Sequence, residues 1–174
     1  DLVRSRGLGD VYKRQGFGRK DIIIESLQRL DTNIIFQGVK MRPSHSLIFS
    51  KRDSQLIFSL PGRVSATEIG FELLVRPAIL KMQGKPEDDS VIIQAKTKKD
   101  ISAVEGQRHI SRGKLWKKGK ALWVEPLWKK GWHQEIAEAD GYIIIPEDRK
   151  SAKAGELVSF MIHPHRLLKF FPKS

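Results

Sequence analysis

The sequence contains no cysteine and no long hydrophobic run. With no cysteine among its 174 residues, disulfides, thiolate metal sites and a cysteine nucleophile are excluded. The longest apolar runs, such as Ile22 to Ile24 and Tyr142 to Ile145, fall far short of the roughly 20 residues that span a bilayer. The first residues also lack the apolar stretch of a signal peptide. We therefore expect a cytoplasmic protein without a membrane partner.

Acidic residues are scarce relative to basic ones. Twenty acidic side chains stand against 32 basic ones, a formal net charge of +12. Such an excess favours contact with polyanions, namely nucleic acid, acidic membranes or phosphorylated small molecules, and charge alone does not choose among them. A hydrophobic content of 40% is enough to build a buried core.

The first fifteen residues, Asp1 to Gln15, have no clear hydrophobic period. Their sequence, DLVRSRGLGDVYKRQ, resembles translated adapter sequence, and we treat it as a non-native segment outside the fold argument. Without its four basic and two acidic residues the chain keeps a charge of +10, so the basic character belongs to the rest.

Helical and strand-like patterns alternate in the first half of the chain. Apolar residues at helical spacing predict a helix from Lys20 to Leu30. Strands are predicted next, at Ile34 to Lys40, Ser46 to Ser50 and Gln55 to Leu60. A long helical pattern follows the turn Pro61-Gly62-Arg63 and continues to about Gln83. We expect Ser65 and Glu68 to form its capping box, Pro77 to kink it, and Gly84 to end it.

The second half reads as short strands after a polar linker that begins at Gly84. The predicted strands are Val91 to Lys96, Gln107 to Trp116, Ala121 to Pro126, Gly141 to Pro146 and Leu157 to His163. The order of elements suggests part of an α/β domain over residues 16–86, a small β domain of barrel type over 87–165, and a tail over 166–174.

Two loops could form an anion site. Leu60-Pro61-Gly62-Arg63 stands between a strand and a helix, whose free N-terminal amides attract anions, and Arg63 adds a fixed positive charge. The loop Met41-Arg42-Pro43-Ser44-His45 leaves a strand at what we expect to be the same edge. Together the loops would bring Arg42, His45 and Arg63 to one phosphate-sized site.

These stretches carry a family resemblance. VKMRPSHS (Val39 to Ser46), IFSLPGRVSAT (Ile57 to Thr67) and FELLVRPAILKMQG (Phe71 to Gly84) are similar, in order and spacing, to motifs of the molybdopterin molybdenumtransferases, the MoeA and gephyrin E-domain family. GFGRKDIIIESLQRL (Gly16 to Leu30) resembles the segment that carries a family aspartate. EADGYIIIPEDRKSAKAGELVSFMI (Glu138 to Ile162) resembles the signature of the family's C-terminal β domain.

The resemblance implies a fold and a function. The fold would be the C-terminal half of a molybdopterin-binding three-layer α/β domain followed by a small all-β, barrel-like domain. The complete enzyme would insert molybdate into adenylylated molybdopterin with release of AMP, using Mg²⁺ and working as a homodimer. Because the family's N-terminal domains are missing from the sequence given, we expect the fragment alone to be inactive.

The resemblance also implies roles for particular residues. Asp21 would act near Mg²⁺ or pyrophosphate and Arg42 would take the place of a catalytic lysine. The cofactor-binding residues would be His45, Pro61, Gly62, Arg63 and Ser65, with Ser65 also capping the helix. Several family positions are altered, with His45 in place of a lysine and Val64 in place of a proline. These changes keep open a molybdopterin-binding or sensing protein without catalysis.

A different alternative is a basic β domain that binds nucleic acid. KLWKKGKALWVEPLWKKGWH (Lys114 to His133) alternates tryptophans with lysines, as single-strand-binding proteins do. We expect the rings of Trp116, Trp123 and Trp128 to lie in the core, with the lysines solvated on the opposite face. On that expectation nucleic acid is the disfavoured partner.

Overall fold

The structure is a computed structural model that describes residues 22–85, 90–128 and 132–171. Its strands are β1 (Asn33–Gln37), β2 (Met41–Arg42), β3 (Ile48–Arg52), β4 (Gln55–Ser59), β5 (Val91–Thr97), β6 (Ile101–Ser102), β7 (Arg108–Lys118), β8 (Ala121–Pro126), β9 (Gly141–Ile145), β10 (Ser151–Ala152) and β11 (Leu157–Ile162). Its helices are α1 (22–29), α2 (Val64–Gly70), α3 (Arg76–Met82), α4 (Trp132–Glu138) and α5 (Leu167–Phe170), with a π-helical turn at Phe71–Val75 and a 3₁₀ turn at Pro164–Arg166. In this part of the chain no helix combines the length and apolar character needed to cross a membrane.

The chain divides into two compact units, Asp1–Gln37 with Leu47–Ser59, and Gly38–Ser46 with Leu60–Ser174. This division does not coincide with the predicted boundary at residue 86, because the β2 loop and the helices α2 and α3 group with the barrel. The predicted domain limits stay a prediction.

The first unit consists, in its described part, of α1 and an antiparallel sheet in the order β1-β3-β4. Phe49 lies opposite both Phe36 and Phe58, and its ring centroid is 5.6 Å and 4.7 Å from theirs. Aromatic pairs across strands stabilise such small sheets. The predicted strands are confirmed in approximate extent, whereas the three-layer α/β half stays a prediction.

A closed ring of strands dominates the second unit. β7, β8, β5, β11 and β9 pair in that order, and β9 pairs back to β7. The β5–β8 contact is parallel and the other contacts of the ring are antiparallel. The interior holds buried side chains from all five strands, among them Ala95, Leu115, Val124, Ile143 and Phe160. The expected small barrel and its five main strands are confirmed, while α4 was not foreseen.

Asp140 and Gly141, which lie in the stretch that resembles the family's C-terminal signature, have structural roles in the barrel. Asp140 is 1% exposed and its carboxylate accepts a 3.0 Å hydrogen bond from the amide of Leu115. A Cβ atom on Gly141 would lie 2.1 Å from the carbonyl oxygen of Met161, so only glycine fits there. Lys169 of α5 pairs with Asp140 at 2.9 Å, which ties the predicted tail to the barrel.

The long helical segment contains an interruption before its proline. α2 passes into the π-helical turn, and Pro77 then lies in the first turn of α3. Proline lacks an amide hydrogen, and a π turn is one way for a helix to accommodate that loss. Gly84 ends the segment as predicted, with φ +70° and a hydrogen bond from the amide of Lys85 to the carbonyl of Leu80 at 3.0 Å. This pattern is a Schellman motif.

Candidate functional site

The two loops singled out from the sequence both belong to the second unit. Arg42 lies on β2, which pairs in parallel with β7. Its side chain is exposed, and its Nε donates a 2.7 Å hydrogen bond to the amide oxygen of Gln107. His45 is exposed in the loop after β2, and Arg63 is exposed directly before α2. All three predicted side chains are therefore open to a ligand.

Ser44 holds the two loops together. It is 1% exposed, has φ +79°, and its hydroxyl donates to the carbonyl oxygen of Ala66 in α2. The amide of Val39 donates to the carbonyl oxygen of His45 at 3.0 Å and closes the first loop on itself. The loop of Arg42 and His45 therefore packs against the first turn of the helix that begins after Arg63.

The start of α2 differs from the predicted capping box. Arg63 is the N-cap residue, with φ −83° and ψ 127°, and no side chain caps the helix. Ser65 lies inside the first turn, so the prediction that it caps the helix is wrong. The hydroxyl of Thr67 instead lies against the carbonyl oxygens of Pro61 and Arg63. This contact holds the Pro61-Gly62-Arg63 turn, and sequence reasoning missed it because side-chain bonding to a preceding loop has no local pattern.

The loops present cations and lack acidic groups. No acidic residue occurs in the first turn of α2, so its free amides and the guanidinium of Arg63 act in the same direction. Such an arrangement binds anions by charge-assisted hydrogen bonds. Asp21, the remaining predicted site residue, lies outside the described residues. Across residues 22–85, 90–128 and 132–171 no group of His, Asp and Glu side chains could hold a metal ion, so these residues do not fit a Mg²⁺ site by themselves.

His109 is a neighbour of Arg42 that sequence reasoning missed. The two residues are partners in the β2–β7 pairing, and the histidine is half-buried. Burial lowers its pKa from the usual value, and the positive charge of Arg42 lowers it further. His109 therefore presents a neutral imidazole beside Arg42 near neutral pH. Its place within the strand β7 is typical of a structural residue, so the sequence carried no signal for it.

A buried polar network joins α2 to the barrel. Arg112 on β7 is 5% exposed and its guanidinium pairs with Glu68 of α2 and, at 3.5 Å, with Glu135 of α4. The hydroxyl of Tyr142 donates to Glu68 at 3.0 Å. Burial, followed by the charge of Glu68, raises the pKa of Tyr142, so the phenol stays a hydrogen-bond donor. The network fixes the helix that begins directly after Arg63.

A polar pocket of about 340 Å³ opens beside this network. It is lined by Glu68, Glu72, Arg76, Ile136, His163, Pro164 and His165. None of the predicted site residues lines it, so the pocket and the two-loop site are separate features. We assign anion binding to the two loops, because their cationic side chains are exposed and the first turn of α2 contains no acidic residue. The pocket, in contrast, is lined by carboxylates as well as imidazoles.

Comparison with known proteins covers both halves of the chain. Residues 94–162, from β5 to the end of β11, match the family described as MoeA C-terminal region (domain IV). Over 147 residues the chain is 29% identical to the molybdopterin molybdenumtransferase of Staphylococcus epidermidis, covering 83% of this chain and 35% of that protein. The enzyme of that name from Staphylococcus aureus gives the same values. The chain thus spans about a third of the length of these relatives, since it covers 35% of each.

Two solved structures of proteins of molybdenum cofactor biosynthesis are also similar to this chain. The molybdopterin biosynthesis MoeA protein from Pyrococcus horikosii is similar with a TM-score of 0.64 at 26% identity, covering 74% of this chain and 32% of that one. A molybdenum cofactor biosynthesis protein from Pyrococcus furiosus is similar with a TM-score of 0.62 at 22% identity, covering 75% and 45%. The second likeness shows the fold alone.

Proposed function

We propose that this chain, whose residues 94–162 match the MoeA C-terminal region, serves molybdenum cofactor biosynthesis as part of a molybdopterin molybdenumtransferase. In this proposal the complete protein inserts molybdate into adenylylated molybdopterin. A cytoplasmic homodimer and a requirement for Mg²⁺ belong to the same proposal. The observation that carries it is the packing of the Arg42–Ser46 loop on α2 through Ser44 and Ala66.

Each loop has a distinct part in the proposed site. Arg42 and Arg63 bind the phosphate or molybdate oxygens, since guanidinium groups offer several donors to such anions. His45 adds a further donor, and Pro61 with Gly62 shapes the turn that exposes the amides of α2. We assign no step to Mg²⁺, because the described residues contain no group of side chains that could hold a metal ion and Asp21 lies outside them.

The alternative hypothesis, a protein that binds or senses molybdopterin without catalysis, uses the same loops. The loop residues that differ from the family pattern, among them His45 and Arg63, keep donors for an anion. A demanding catalytic geometry tolerates such changes less well than anion binding does. Turnover by a longer form of the protein would separate the two readings.

Titration of molybdopterin into this chain tests the shared part of both readings. We expect saturable binding that weakens about tenfold in Arg63→Ala, which removes a charge-assisted hydrogen bond. Ser44→Gly removes no charge, and glycine accepts the positive φ of this position. It should nevertheless weaken binding if the loops act as one site. Lys150→Ala, at an exposed lysine paired with Glu105, is the matched control. Equal affinities for all four proteins would exclude the two-loop site.

A further inference from the structure

The outer surface of the barrel carries two tryptophans in neighbouring strands. Leu115 and Val124 are buried in the core at 2% and 0% exposure, so the alternating positions next to them point outward. Trp116 and Trp123 occupy these positions, are partners across β7 and β8, and are partly exposed. The expectation that their rings lie in the core is wrong, whereas Trp128 does pack against the core.

Lysines surround the two rings. Lys96 is the partner of Trp123 across β5 and β8, and its Nζ lies 5.8 Å from the ring centroid. The Nζ of Lys98 lies 5.2 Å from the ring centroid of Trp116. Each ammonium group therefore sits above an aromatic ring, within the range of a cation–π contact.

The same face carries further positive charge along β7. Lys114 and Lys118 are exposed and alternate with the outward Trp116. Within the described part of the chain neither lysine forms a salt bridge, although Lys114 lies opposite Glu125 across β7 and β8. Glu125 is the acidic neighbour on this face, and it is already paired with Lys98 at 3.1 Å and with Lys99 at 2.6 Å. The face formed by β5, β8 and β7, which we call the Trp-Lys face, thus has an excess of unpaired cations.

We propose that the Trp-Lys face binds single-stranded nucleic acid. Neighbouring strands lie about 4.8 Å apart, so Trp116 and Trp123 present adjacent ring faces to successive bases of one strand. Base stacking on such rings is tolerant of sequence, because every base has a π face. An incoming base displaces the flexible lysine stem, and the displaced ammonium stays within reach of the flanking phosphate. Lys114 and Lys118 extend the track for the backbone.

The observations favour this partner over the others that a basic surface can attract. A membrane surface would require an apolar face, whereas these rings are bordered by charged side chains. An acidic peptide would satisfy the lysines but would leave the two paired rings without a planar group to stack on. The Trp-Lys face shares no residue with the loops of Arg42, His45 and Arg63, so this inference stands independently of the proposed function.

Fluorescence anisotropy of a labelled short oligothymidylate, titrated with the full chain at two salt concentrations, tests the proposal. We expect saturable binding whose log–log salt slope is about −0.7 for each phosphate contacted. Lys114→Glu combined with Lys118→Glu should weaken binding at least tenfold, whereas Lys150→Glu, outside the three strands, should leave it within twofold. These reversals replace exposed side chains, so circular dichroism is expected to show unchanged folding.

Stacking is tested separately from charge. Trp116→Ala should weaken binding about fivefold or more, and Trp116→Phe should recover part of that loss because phenylalanine keeps a π face. Two results would overturn the proposal: wild-type affinity in Trp116→Ala, or displacement of the oligonucleotide by polyglutamate at equal charge concentration. The second result would show that the face attracts any polyanion, an acidic peptide included.

Discussion

The outer surface of the barrel has two sides that follow the same strand pattern but have different surroundings. On one side, the outward residues Ile110, Tyr142 and Met161 join Met41 of β2 and Ile69 of α2 in a second buried cluster. On the other side, Trp116 and Trp123 remain partly exposed among lysines. The strand β7 contributes to both sides, since Ile110 and Trp116 are outward residues of one strand. Alternation therefore identifies the outward positions, and the neighbouring helix decides which of them are buried.

The charged side chains on the two sides also differ in burial and in ion pairing. Arg112, on the covered side, is 5% exposed and paired with two glutamates, whereas Lys114, two residues later, is exposed. A buried pair is costly to break, because the remaining partner is left desolvated. An exposed lysine loses little when it is removed. The following changes measure this difference, from the largest expected effect to the smallest.

Arg112→Ala should reduce the free energy of unfolding by about 3–5 kcal/mol, because Glu68 and Glu135 lose their buried partner. Lys114→Ala, at the next outward position of β7, should change it by less than about 0.5 kcal/mol. Urea unfolding followed by circular dichroism provides both values. Comparable losses in the two variants would remove the distinction between the covered and the open side.

Acidification should destabilise the covered side through His163. Burial lowers the pKa of His163 to about 4, the charges of His165 and Arg166 act in the same direction, and Glu68 and Asp140 oppose them. The unfolded chain then takes up the proton more readily than the folded chain. This contribution to stability is fully present above about pH 6.5 and is lost as the pH drops toward 4, by roughly 3 kcal/mol. Unfolding titrations across this range should show a flatter profile for His163→Gln, and an unchanged slope would refute the assignment.

Tyr142→Phe should cost about 1 kcal/mol, the typical net contribution of one hydrogen bond. The variant keeps the buried ring and removes only the hydroxyl that donates to Glu68. Combining it with Arg112→Ala in a double-mutant cycle should give less than the sum of the two losses, because both side chains act on Glu68. Strict additivity in thermal or urea unfolding would show that the contacts are independent.

Ser65→Ala should have the smallest effect, below about 0.5 kcal/mol, since Ser65 does not cap α2. Loss of a serine N-cap typically costs about 1 kcal/mol. The measured free energy of unfolding therefore discriminates between the observed helix start at Val64 and the capping box expected from the sequence. A loss near 1 kcal/mol would favour the capping box.

Several residues of the candidate site were predicted from the sequence, but the contacts that bring its loops together were not. The exposed cations Arg42 and Arg63 and the turn at Pro61 and Gly62 were identified from residue type and position between elements. The contact of Ser44 with Ala66 was not, because it joins residues far apart in the chain and carries no periodic signal. Likewise His109 resembled an ordinary strand residue until the β2–β7 pairing placed it beside Arg42.

The sequence by itself determined the strands of the barrel, the glycine that ends the long helical segment, and the resemblance to the MoeA family. Each of these depends on local periodicity, on backbone freedom or on a motif read in order. Only the tertiary structure decided that Glu68 pairs with Arg112 instead of capping its helix, and that Trp116 and Trp123 face outward. The reason is physical: alternation places a side chain on one of two faces, and burial depends on what packs against that face.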